Sequence, residues 1–289
     1  MLDIREQVGL SQFNTMGVGG NAKYFITVNS SEEMLEAINF ANTKGEKLYI
    51  LGTGSNIIFD DNGYNGVVVY NKTSELHIDG TKAVIDSGSL LNVVILKLMN
   101  EDLGGFEKLF GIPGTIGGAI YQNAGAHGVN ISDYFVSGNI YNMESSSFET
   151  WGKEDFDFEY RSSKLRKNKG KYILLSAEFN LEKILKEEVK ANMMIVSESR
   201  NTKPFGKSSG SFFKNPEGNS AGKLIEDCGL KGLKVGGVEV SNIHANYIMN
   251  INDAKACDIK ELSDIIKMKV LEKYGVKLEE EVEFVDKVI

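Results

Sequence analysis

Apolar positions in the first quarter of the chain follow strand and helix patterns in turn. Three short apolar runs are typical of buried strands: Lys23–Val28, Lys47–Leu51 and Gly66–Tyr70. After the first run, Ser30 and Glu33 have the spacing of a helix capping box, and apolar residues then recur at helical intervals until Gly45. The pattern predicts a β-α-β-β unit whose second strand ends directly in a glycine-bearing loop.

The rest of the chain predicts further strands and then mainly helices. Strands are expected at Ala83–Asp86, Tyr134–Tyr141 and Tyr172–Phe179, and at the apolar residues Phe284 and Val285. Helices are expected over Leu90–Leu103, Glu182–Ser199 and Ala254–Tyr274, with a short helix that ends at Cys228. The change of pattern predicts a domain boundary near residue 190.

Composition and charge narrow the class of protein. With 289 residues, 42% of them hydrophobic and 25% charged, the chain has the composition of a globular protein of two or three packed units. No apolar run is long enough to cross a bilayer, and the first residues lack the pattern of a signal peptide, so we expect a cytoplasmic protein. The net charge of −8 argues against nonspecific binding to nucleic acid or to an anionic membrane.

Cysteine and histidine positions do not indicate a metal centre. The two cysteines, Cys228 and Cys257, are far apart at helix-like positions, so we expect reduced structural thiols. The three histidines, His77, His127 and His244, do not have the spacing of metal ligands. We therefore expect no bound metal.

One window has a charge balance opposite to that of the whole chain. Between Arg200 and Leu224 the sequence has five basic residues and one acidic residue, Glu217. Such a window is suited to receive a small anion, although a solvated loop with scattered lysines would have the same charge.

Two glycine-rich segments predict backbone that closes on a ligand. Gly111–Gly128 has six glycines in eighteen residues, and Gly52 and Gly54 lie in the loop after the predicted strand Lys47–Leu51. Glycine at this density weakens a helix or a strand, so open backbone must have a use, such as N–H groups that meet a phosphate or a flat ring. A compact surface loop is the alternative. No strongly periodic helix follows Gly54, so the loop does not match the dinucleotide-binding fingerprint.

Three separate segments have side chains suited to chemistry on an anionic substrate. Arg161 could clamp a carboxylate through two hydrogen bonds, although a single arginine is also typical of a surface ion pair. Ser211 follows a glycine and precedes two aromatic residues. No Gly-x-Ser-x-Gly motif or adjacent histidine predicts a hydrolase triad, but the hydroxyl could donate a proton. The acidic run Glu279–Glu281 precedes apolar residues, and one of its carboxylates could face inward.

Together with Asn14–Gly20, these motifs resemble one family. The motifs that carry the likeness are the two glycine segments, Tyr160–Arg161, Gly210–Pro216 and Leu278–Val282. Their order and spacing are similar to those of the UDP-N-acetylenolpyruvoylglucosamine reductases, which act in bacterial peptidoglycan precursor synthesis. The resemblance extends from Asn14 to Val285, nearly the whole chain.

The resemblance implies an α+β fold. A two-part FAD-binding domain of the vanillyl-alcohol-oxidase/PCMH type would be followed by a C-terminal α+β substrate-binding domain. The expected bounds are 1–72 and 73–190 for the two FAD-binding subdomains and 191–289 for the substrate-binding domain. No counterpart of the tyrosine-bearing substrate loop of some members is found, which implies the shorter subtype.

The resemblance also implies an activity and its cofactors. The family reduces UDP-N-acetylglucosamine enolpyruvate to UDP-N-acetylmuramate. NADPH first reduces bound FAD, and hydride then passes from flavin N5 to the terminal carbon of the enol ether. We expect a monomer whose partner is a small sugar nucleotide, with no nucleic-acid or membrane partner.

Catalytic roles implied by the family fall on three residues. Arg161 would pair with the substrate carboxylate as negative charge develops, Glu281 would donate a hydrogen bond to it when protonated, and Ser211 would be the proton donor. Glu279 shares a predicted strand face with Glu281 and is the alternative, while a one-residue misalignment would select Glu280. Substrate contacts are expected from Tyr160, Lys214, Asn215 and His244.

The resemblance assigns the two glycine segments to FAD. The pyrophosphate would be held by the first loop, through Gly52, Thr53, Gly54, Ser55, Asn56 and Ile57. Pyrophosphate and isoalloxazine would be wrapped by the second segment, through Gly111, Ile112, Pro113, Gly114, Thr115, Gly117, Gly118, Asn123, Ala124, Gly125 and Ala126. Backbone N–H donors suit both tasks because they are fixed and uncharged.

Two other classes of function fit parts of the pattern. An FAD-linked oxidase or dehydrogenase acting on another small molecule would have the same flavin segments, but it has no reason to combine Ser211, Arg161 and Glu281. A noncatalytic nucleotide-binding module would account for the glycine loops and the basic window without those three residues.

Overall fold

The computed structural model describes residues 2–286, in which helices alternate with short strands. The helices are α1 (Ser31–Lys44), α2 (Leu91–Asn100), α3 (Ile116–Tyr121), α4 (Lys164–Lys167), α5 (Lys186–Arg200), α6 (Ala221–Asp227) and α7 (Ala256–Tyr274). The strands are β1 (Ile4–Gly9), β2 (Asn21–Val28), β3 (Leu48–Leu51), β4 (Ile57–Phe59), β5 (Tyr64–Asn71), β6 (Leu76–Asp79), β7 (Lys82–Asp86), β8 (Leu103–Gly104), β9 (Gly125–Ala126), β10 (Val129–Asn130), β11 (Phe135–Asn142), β12 (Ser147–Gly152), β13 (Tyr172–Asn180), β14 (Glu182–Lys183), β15 (Lys234–Val235), β16 (Val238–Val240), β17 (Ile248–Asn250) and β18 (Glu283–Val285). Among these residues, no helix combines the length and the apolar character needed to cross a membrane.

The chain folds into two compact units, each assembled from separate stretches of sequence. Unit 1 consists mainly of Ile26–Gly52 and Val69–Asn201. Unit 2 consists of Ile4–Phe25, Thr53–Val68 and the chain from Thr202 onward. The expected boundary near residue 190 falls inside α5, and the domain bounds 1–72, 73–190 and 191–289 stay a prediction.

Unit 1 contains an antiparallel sheet of five strands, in the order β12–β11–β13–β7–β6. The predicted strands near Ala83, Tyr134 and Tyr172 are confirmed as β7, β11 and β13. Phe135, on β11, packs its ring against Phe156 and against Phe179, with centroid distances of 4.6 and 5.8 Å. Helices α2 and α3 bury apolar residues in the same cluster, so unit 1 has a core of its own.

Helix α1 forms where the capping box predicts it. Ser30 Oγ accepts a hydrogen bond from the N–H of Glu33 at 3.3 Å, and the Glu33 carboxylate accepts one from the N–H of Asn29 at 2.7 Å. Gly45, with a φ of 67°, ends the helix. The strands of the predicted β-α-β-β unit are confirmed as β2, β3 and β5, which lie in a sheet of order β1–β2–β5–β3, and β4 is an additional strand.

Unit 2 has a second core, to which α6 and α7 and the antiparallel sheet β15–β16–β17 contribute. The side chains of Phe212 and Phe213 are each only 1% exposed in this core. Strand β18 pairs in parallel with β4, which places Glu283–Val285 beside Ile57–Phe59. Strand β18 is therefore joined to the stretch that follows the first glycine loop. Helices and mainly antiparallel strands confirm the α+β class.

Three predicted boundaries were wrong, two because strand pairing replaces the expected helix and one because the expected strand starts later. Helix α2 ends at Asn100 instead of Leu103, since β8 pairs with β14. The same pairing takes Glu182 out of the expected helix, and α5 begins at Lys186. The acidic run before β18 is not a regular strand: Glu280 makes a single bridge and the strand begins at Glu283, so the expected shared strand face does not exist.

Candidate active site

The glycine-rich segment of unit 1 leads from an irregular loop into α3. Thr115 caps the helix, and its Oγ1 accepts a hydrogen bond from the N–H of Gly118 at 3.2 Å. A Cβ atom at Gly117 would lie 2.9 Å from Cβ and backbone O of Ser87, and one at Gly52 would lie 2.8 Å from Thr115 Oγ1. These two glycines are therefore required by close packing within the protein itself.

The start of the segment is supported by side chains of unit 1. Gly111 N–H donates to Asn92 Oδ1 at 2.7 Å, and Arg200 Nε donates to the backbone O of Phe110 at 2.7 Å. A Cβ at Gly111 would lie 2.5 Å from Arg200 Cδ. The first residue of the basic window thus supports the glycine segment.

Open hydrogen-bonding groups lie along the same segment. Gly114 O accepts the N–H of Leu91 at 3.0 Å, and the N–H of Ile116 donates to Ser89 O at 2.9 Å. Within residues 2–286, the structure provides no acceptor for the N–H groups of Gly114 and Thr115 and no partner for the buried Oγ of Ser89. Polar groups of this kind need hydrogen-bond partners from outside the chain.

Two hydrogen bonds tie the turn that contains Arg161 to the glycine segment. Asn123 Nδ2 donates to the backbone O of Glu159 at 3.0 Å. Arg161 Nη2 donates to the backbone O of Gly125 at 2.9 Å. Unit 1 therefore brings together Asn123, Gly125 and Arg161, which the family resemblance assigns to cofactor binding and catalysis.

This turn and the glycine segment bonded to it both have strained backbone, and the turn has an exposed aromatic ring. Arg161 and Asn123 have φ values of 53° and 46°, in the left-handed region that few residues other than glycine use. The Arg161 guanidinium carbon lies 5.3 Å from the ring centroid of Tyr160, whose side chain is 55% exposed. Asn123 Oδ1 is buried and has no hydrogen-bond partner in the described part of the chain. Strain of this kind is concentrated at functional turns.

The first glycine loop continues in unit 2, where it packs on the motif Asn14–Gly20. The Asn14 side chain holds that motif with four hydrogen bonds to backbone groups between Leu10 and Val18. Gly54 has a φ of 67°, and a Cβ there would collide with the backbone before Asn14. Thr53 Oγ1 is buried without a hydrogen-bond partner among residues 2–286. The loop thus has a fixed backbone and an unsatisfied hydroxyl group.

Asn56 links this loop to the acidic run. Its Nδ2 donates to the backbone O of Glu281 at 3.0 Å, and its backbone O accepts the N–H of Glu283 at 2.9 Å. The structure thus shows Asn56 bonded to the backbone of the acidic run, while its contact with the pyrophosphate stays a prediction. The first glycine loop and Glu281 lie next to each other in unit 2.

The Ser211 segment, Ser211–Lys214, is paired along one edge with the acidic run. The N–H of Glu281 donates to Phe212 O at 2.8 Å, and the N–H of Lys214 donates to Glu279 O at 2.9 Å. Ser211 itself is partly buried. The expected proton donor and the expected acid therefore stand on neighbouring backbone segments.

The other edge of the Ser211 segment is held by Asn246, a residue that sequence analysis missed. Asn246 O accepts the N–H of Phe212 at 2.8 Å. Its side chain accepts the N–H of Phe213 through Oδ1 at 2.9 Å and donates from Nδ2 to Phe213 O at 2.8 Å. In the sequence, an asparagine in a short polar stretch looks like any turn asparagine. No local signal distinguishes this one.

The glutamates of the acidic run have different surroundings. Glu279 is 74% exposed, and its carboxylate lies 3.4 Å from Lys214 Nζ. Glu280 pairs with Lys267 Nζ at 2.6 Å and accepts a hydrogen bond from Ser263 Oγ at 2.9 Å. Burial would raise the pKa of Glu280, but hydrogen bonds from Lys267, from a backbone N–H and from Ser263 outweigh it and lower the pKa. Glu280 is thus an ionised structural partner, which leaves its two neighbours as candidates.

Two residues expected to contact substrate make hydrogen bonds within unit 2. Asn215 Oδ1 accepts the N–H of Ala221, the first residue of α6, at 3.0 Å. His244 Nδ1 accepts the N–H of Asn246 at 3.2 Å. Burial and the charge of Lys203 lower the pKa of His244, so its ring is neutral at pH 7. Their substrate contacts stay predictions.

The described residues show no cluster of side chains suited to bind a metal ion. No group of three or more His, Cys, Asp or Glu side chains between residues 2 and 286 is placed to hold an ion. Both cysteines are free thiols, Cys228 partly buried and Cys257 exposed.

We expect Glu280→Gln to destabilise the protein at neutral pH and much less in acid. Because the pKa of folded Glu280 lies below the unfolded value of about 4.3, the ion pair contributes fully above that pH, and its contribution is lost as the pH falls through the folded pKa. The free energy of unfolding, measured with urea, should fall by about 1–3 kcal/mol at pH 7. Glu279→Gln is the matched exposed control and should change it by less than about 0.5 kcal/mol. Equal effects of the two changes would contradict the structure.

Family models match both parts of the chain. Residues 22–144 match the FAD binding domain, and residues 201–285 match the C-terminal domain of UDP-N-acetylenolpyruvoylglucosamine reductase. The expected order, an FAD-binding part followed by the family's C-terminal domain, is confirmed.

Known proteins are similar along nearly the entire chain. The UDP-N-acetylenolpyruvoylglucosamine reductase of Caldicellulosiruptor bescii is 37% identical over 282 residues, which cover 96% of this chain and 88% of the relative. That of Clostridium novyi is 38% identical over 286 residues, which cover 98% of this chain and 92% of the relative. The crystal structure of the Thermus caldophilus enzyme matches with a TM-score of 0.84 at 32% identity, over 98% of this chain and 99% of that chain. This chain belongs to the UDP-N-acetylenolpyruvoylglucosamine reductase family.

Proposed function

We propose that this protein reduces UDP-N-acetylglucosamine enolpyruvate to UDP-N-acetylmuramate in peptidoglycan precursor synthesis, with FAD as bound cofactor and NADPH as reductant. The observation that carries the proposal is the hydrogen bond of 2.8 Å between Glu281 N–H and Phe212 O. It holds the acid Glu281 beside the segment that begins with Ser211. Reduction of an enol ether next to a carboxylate needs both a proton donor and a group that stabilises negative charge.

Groups that the chain leaves open fit FAD. In unit 1 these are the N–H groups of Gly114 and Thr115 and the buried Oγ of Ser89 and Oδ1 of Asn123, and in unit 2 the buried Oγ1 of Thr53, none of which has a partner in residues 2–286. Phosphate oxygens accept hydrogen bonds from N–H and hydroxyl groups, and the edge of a flavin ring has both donors and acceptors. The other residues assigned to FAD by resemblance lie in the same two segments. When bound, FAD supplies the hydride that is added to the substrate.

Ser211 donates the proton that the reduction needs in addition to the hydride. Addition of hydride to the terminal carbon of the enol ether leaves an electron pair that spreads into the carboxylate, and the adjacent carbon then takes one proton. A serine hydroxyl is a weak acid in water, so it serves only when it is held against the basic carbon and near positive charge. Lys214, on the same segment and with its side chain 25% exposed, provides such a charge.

Arg161 and Glu281 stabilise the negative charge at the carboxylate. The Arg161 guanidinium has several N–H donors, one of which already fixes its position on Gly125 O. Glu281 in its protonated form donates one hydrogen bond to the same group. The sugar nucleotide is held through Tyr160, Lys214, Asn215 and His244.

The remaining expectations belong to the same proposal. The chain is divided into FAD-binding subdomains at 1–72 and 73–190 and a substrate-binding domain at 191–289. The family matches over residues 22–144 and 201–285 support this order. The protein acts as a cytoplasmic monomer of the shorter subtype, without a nucleic-acid or membrane partner.

Ser211→Ala should separate the two half-reactions. Reduction of the bound flavin by NADPH needs no proton from Ser211 and should keep its wild-type rate. Reoxidation by UDP-N-acetylglucosamine enolpyruvate should slow by about 10²–10⁴-fold, as expected for loss of a proton donor. Anaerobic stopped-flow absorbance of the flavin measures both rates, and Ser208→Ala in the same loop is the matched control that should keep both.

The wild-type trace tests the reductase proposal itself. Bleaching by NADPH followed by recovery on addition of substrate is the expected result. Bleaching without recovery would refute the substrate assignment and favour an FAD-linked oxidase or dehydrogenase. Equal slowing of both half-reactions in Ser211→Ala would contradict its role as proton donor.

Glu281→Gln should be milder than Glu281→Ala. The amide keeps a hydrogen-bond donor at the position of the protonated acid, so substrate-driven flavin reoxidation should remain within about tenfold of wild type, against a loss of about 10²–10³-fold for alanine. Glu279→Gln and Glu279→Ala are the controls on the exposed neighbour. The reverse order at Glu281 would indicate a charged role, and a loss at Glu279 in its place would select that residue.

A further inference from the structure

Asn246 is a buried polar residue whose backbone O and both side-chain amide atoms make hydrogen bonds to the Ser211 segment. It is 3% exposed. Its backbone O accepts from Phe212 N–H, and its side chain makes paired bonds with N–H and O of Phe213 at 2.9 and 2.8 Å. Its own N–H donates to His244 Nδ1 at 3.2 Å. Four hydrogen bonds therefore fix this one residue.

The paired bonds require both a donor and an acceptor in one short side chain. Successive carbonyl groups of an extended segment point to opposite edges. Here Phe212 O and Lys214 N–H point to the acidic run, whereas N–H and O of Phe213 point to Asn246. Phe213 is 1% exposed, so loss of the amide would leave two buried backbone groups unsatisfied. Asn246 thus makes the hydrogen bonds that a neighbouring strand would make on that edge.

The bond to His244 depends on the neutral ring. Nδ1 can accept the Asn246 N–H only while it carries no proton. Burial and the charges of Lys203 and Lys231 lower the pKa of His244, and they outweigh a backbone hydrogen bond and the charge of Glu226, which act in the opposite direction. The ring of Tyr247 packs against it at 5.0 Å between centroids. Near neutral pH the acceptor is therefore available.

We propose that Asn246 is the positioning residue for Ser211, the proton donor in the proposed function on which this inference rests. The bond from Phe212 N–H to Asn246 O fixes the peptide plane that joins Ser211 to Phe212. The paired bonds to Phe213 prevent the segment from turning about its own axis. Asn246 does not touch the reacting atoms; it determines where the Ser211 hydroxyl lies.

Asn246→Asp tests this role through a pH profile. An ionised aspartate accepts from Phe213 N–H but places a second oxygen against Phe213 O, whereas a protonated one offers one acceptor and one donor, like asparagine. Substrate-driven flavin reoxidation should be about 100-fold slower than wild type at about pH 8. It should recover towards the wild-type rate at about pH 6, because burial raises the pKa of a carboxyl group. Flavin reduction by NADPH should be unaffected at both values.

Asn250→Asp is the matched control in unit 2. Asn250 also uses both side-chain atoms on backbone groups, donating to Met16 O at 2.8 Å and accepting from Ala254 N–H at 3.3 Å. Its pH profile of reoxidation should keep the wild-type shape. A wild-type rate for Asn246→Asp at both pH values, or a loss without recovery in acid, would overturn the positioning role.

Failure of the proposed function would give a different result. A wild-type flavin that the substrate does not reoxidise would refute the reductase reaction. The protection of the Phe212 and Phe213 amides against hydrogen exchange, which needs no turnover, would then still decide the role of Asn246. An ionised aspartate still accepts from Phe213 N–H, but its repulsion of Phe213 O should make the segment open more often. Protection that falls in Asn246→Asp at about pH 8 and recovers at about pH 6 therefore supports the role, and unchanged protection overturns it.

Discussion

Hydrogen bonding along both edges of the Ser211 segment is the constraint on which the site in unit 2 depends. Because Phe212 and Phe213 are buried, their backbone groups must find partners inside the protein. One edge is satisfied by the acidic run and the other by Asn246. The acidic run is in turn bonded to Asn56 of the first glycine loop. Parts of the chain that are distant in sequence are therefore fixed relative to one another by hydrogen bonds to the backbone.

This arrangement explains the division of roles among side chains of similar chemistry. The charge of Glu280 is balanced by Lys267, and this residue serves stability, whereas Glu281 has its backbone bonded to both Phe212 and Asn56 and is the residue to which the proposal gives a catalytic role. In unit 1 the glycines have two distinct purposes. Gly117 is required by close packing, while Gly114 belongs to a stretch whose N–H groups have no acceptor within residues 2–286 and to which the proposal assigns the cofactor. In the proposal, neighbouring residues of one motif therefore have different tasks, one in packing and the other in binding or catalysis.

The sequence was sufficient for features that local physics determines and for those that motifs carry. The cap of α1 at Ser30 and its end at Gly45 follow from local hydrogen bonding and backbone conformation, and both were predicted. The family, its FAD-binding part and its C-terminal domain followed from ordered motifs. The β8–β14 pairing and the partner of Glu280 depend on residues far away in sequence, and so does the role of Asn246. No local pattern reports such contacts. The helix boundaries next to β8 and β14 were therefore predicted wrongly, and the partner of Glu280 and the contacts of Asn246 were missed.

The most direct test of the account is amide hydrogen exchange in the wild-type protein. The edges of the Ser211 segment are expected to form one cooperative unit with the core of unit 2. The free energy of opening measured at the amides of Phe212, Phe213 and Glu281 should then equal that at Ile266 and Val270, which are buried in α7. Exchange of these three amides through local openings, at a free energy several kcal/mol below that of α7, would show that the segment is not fixed and would contradict the account.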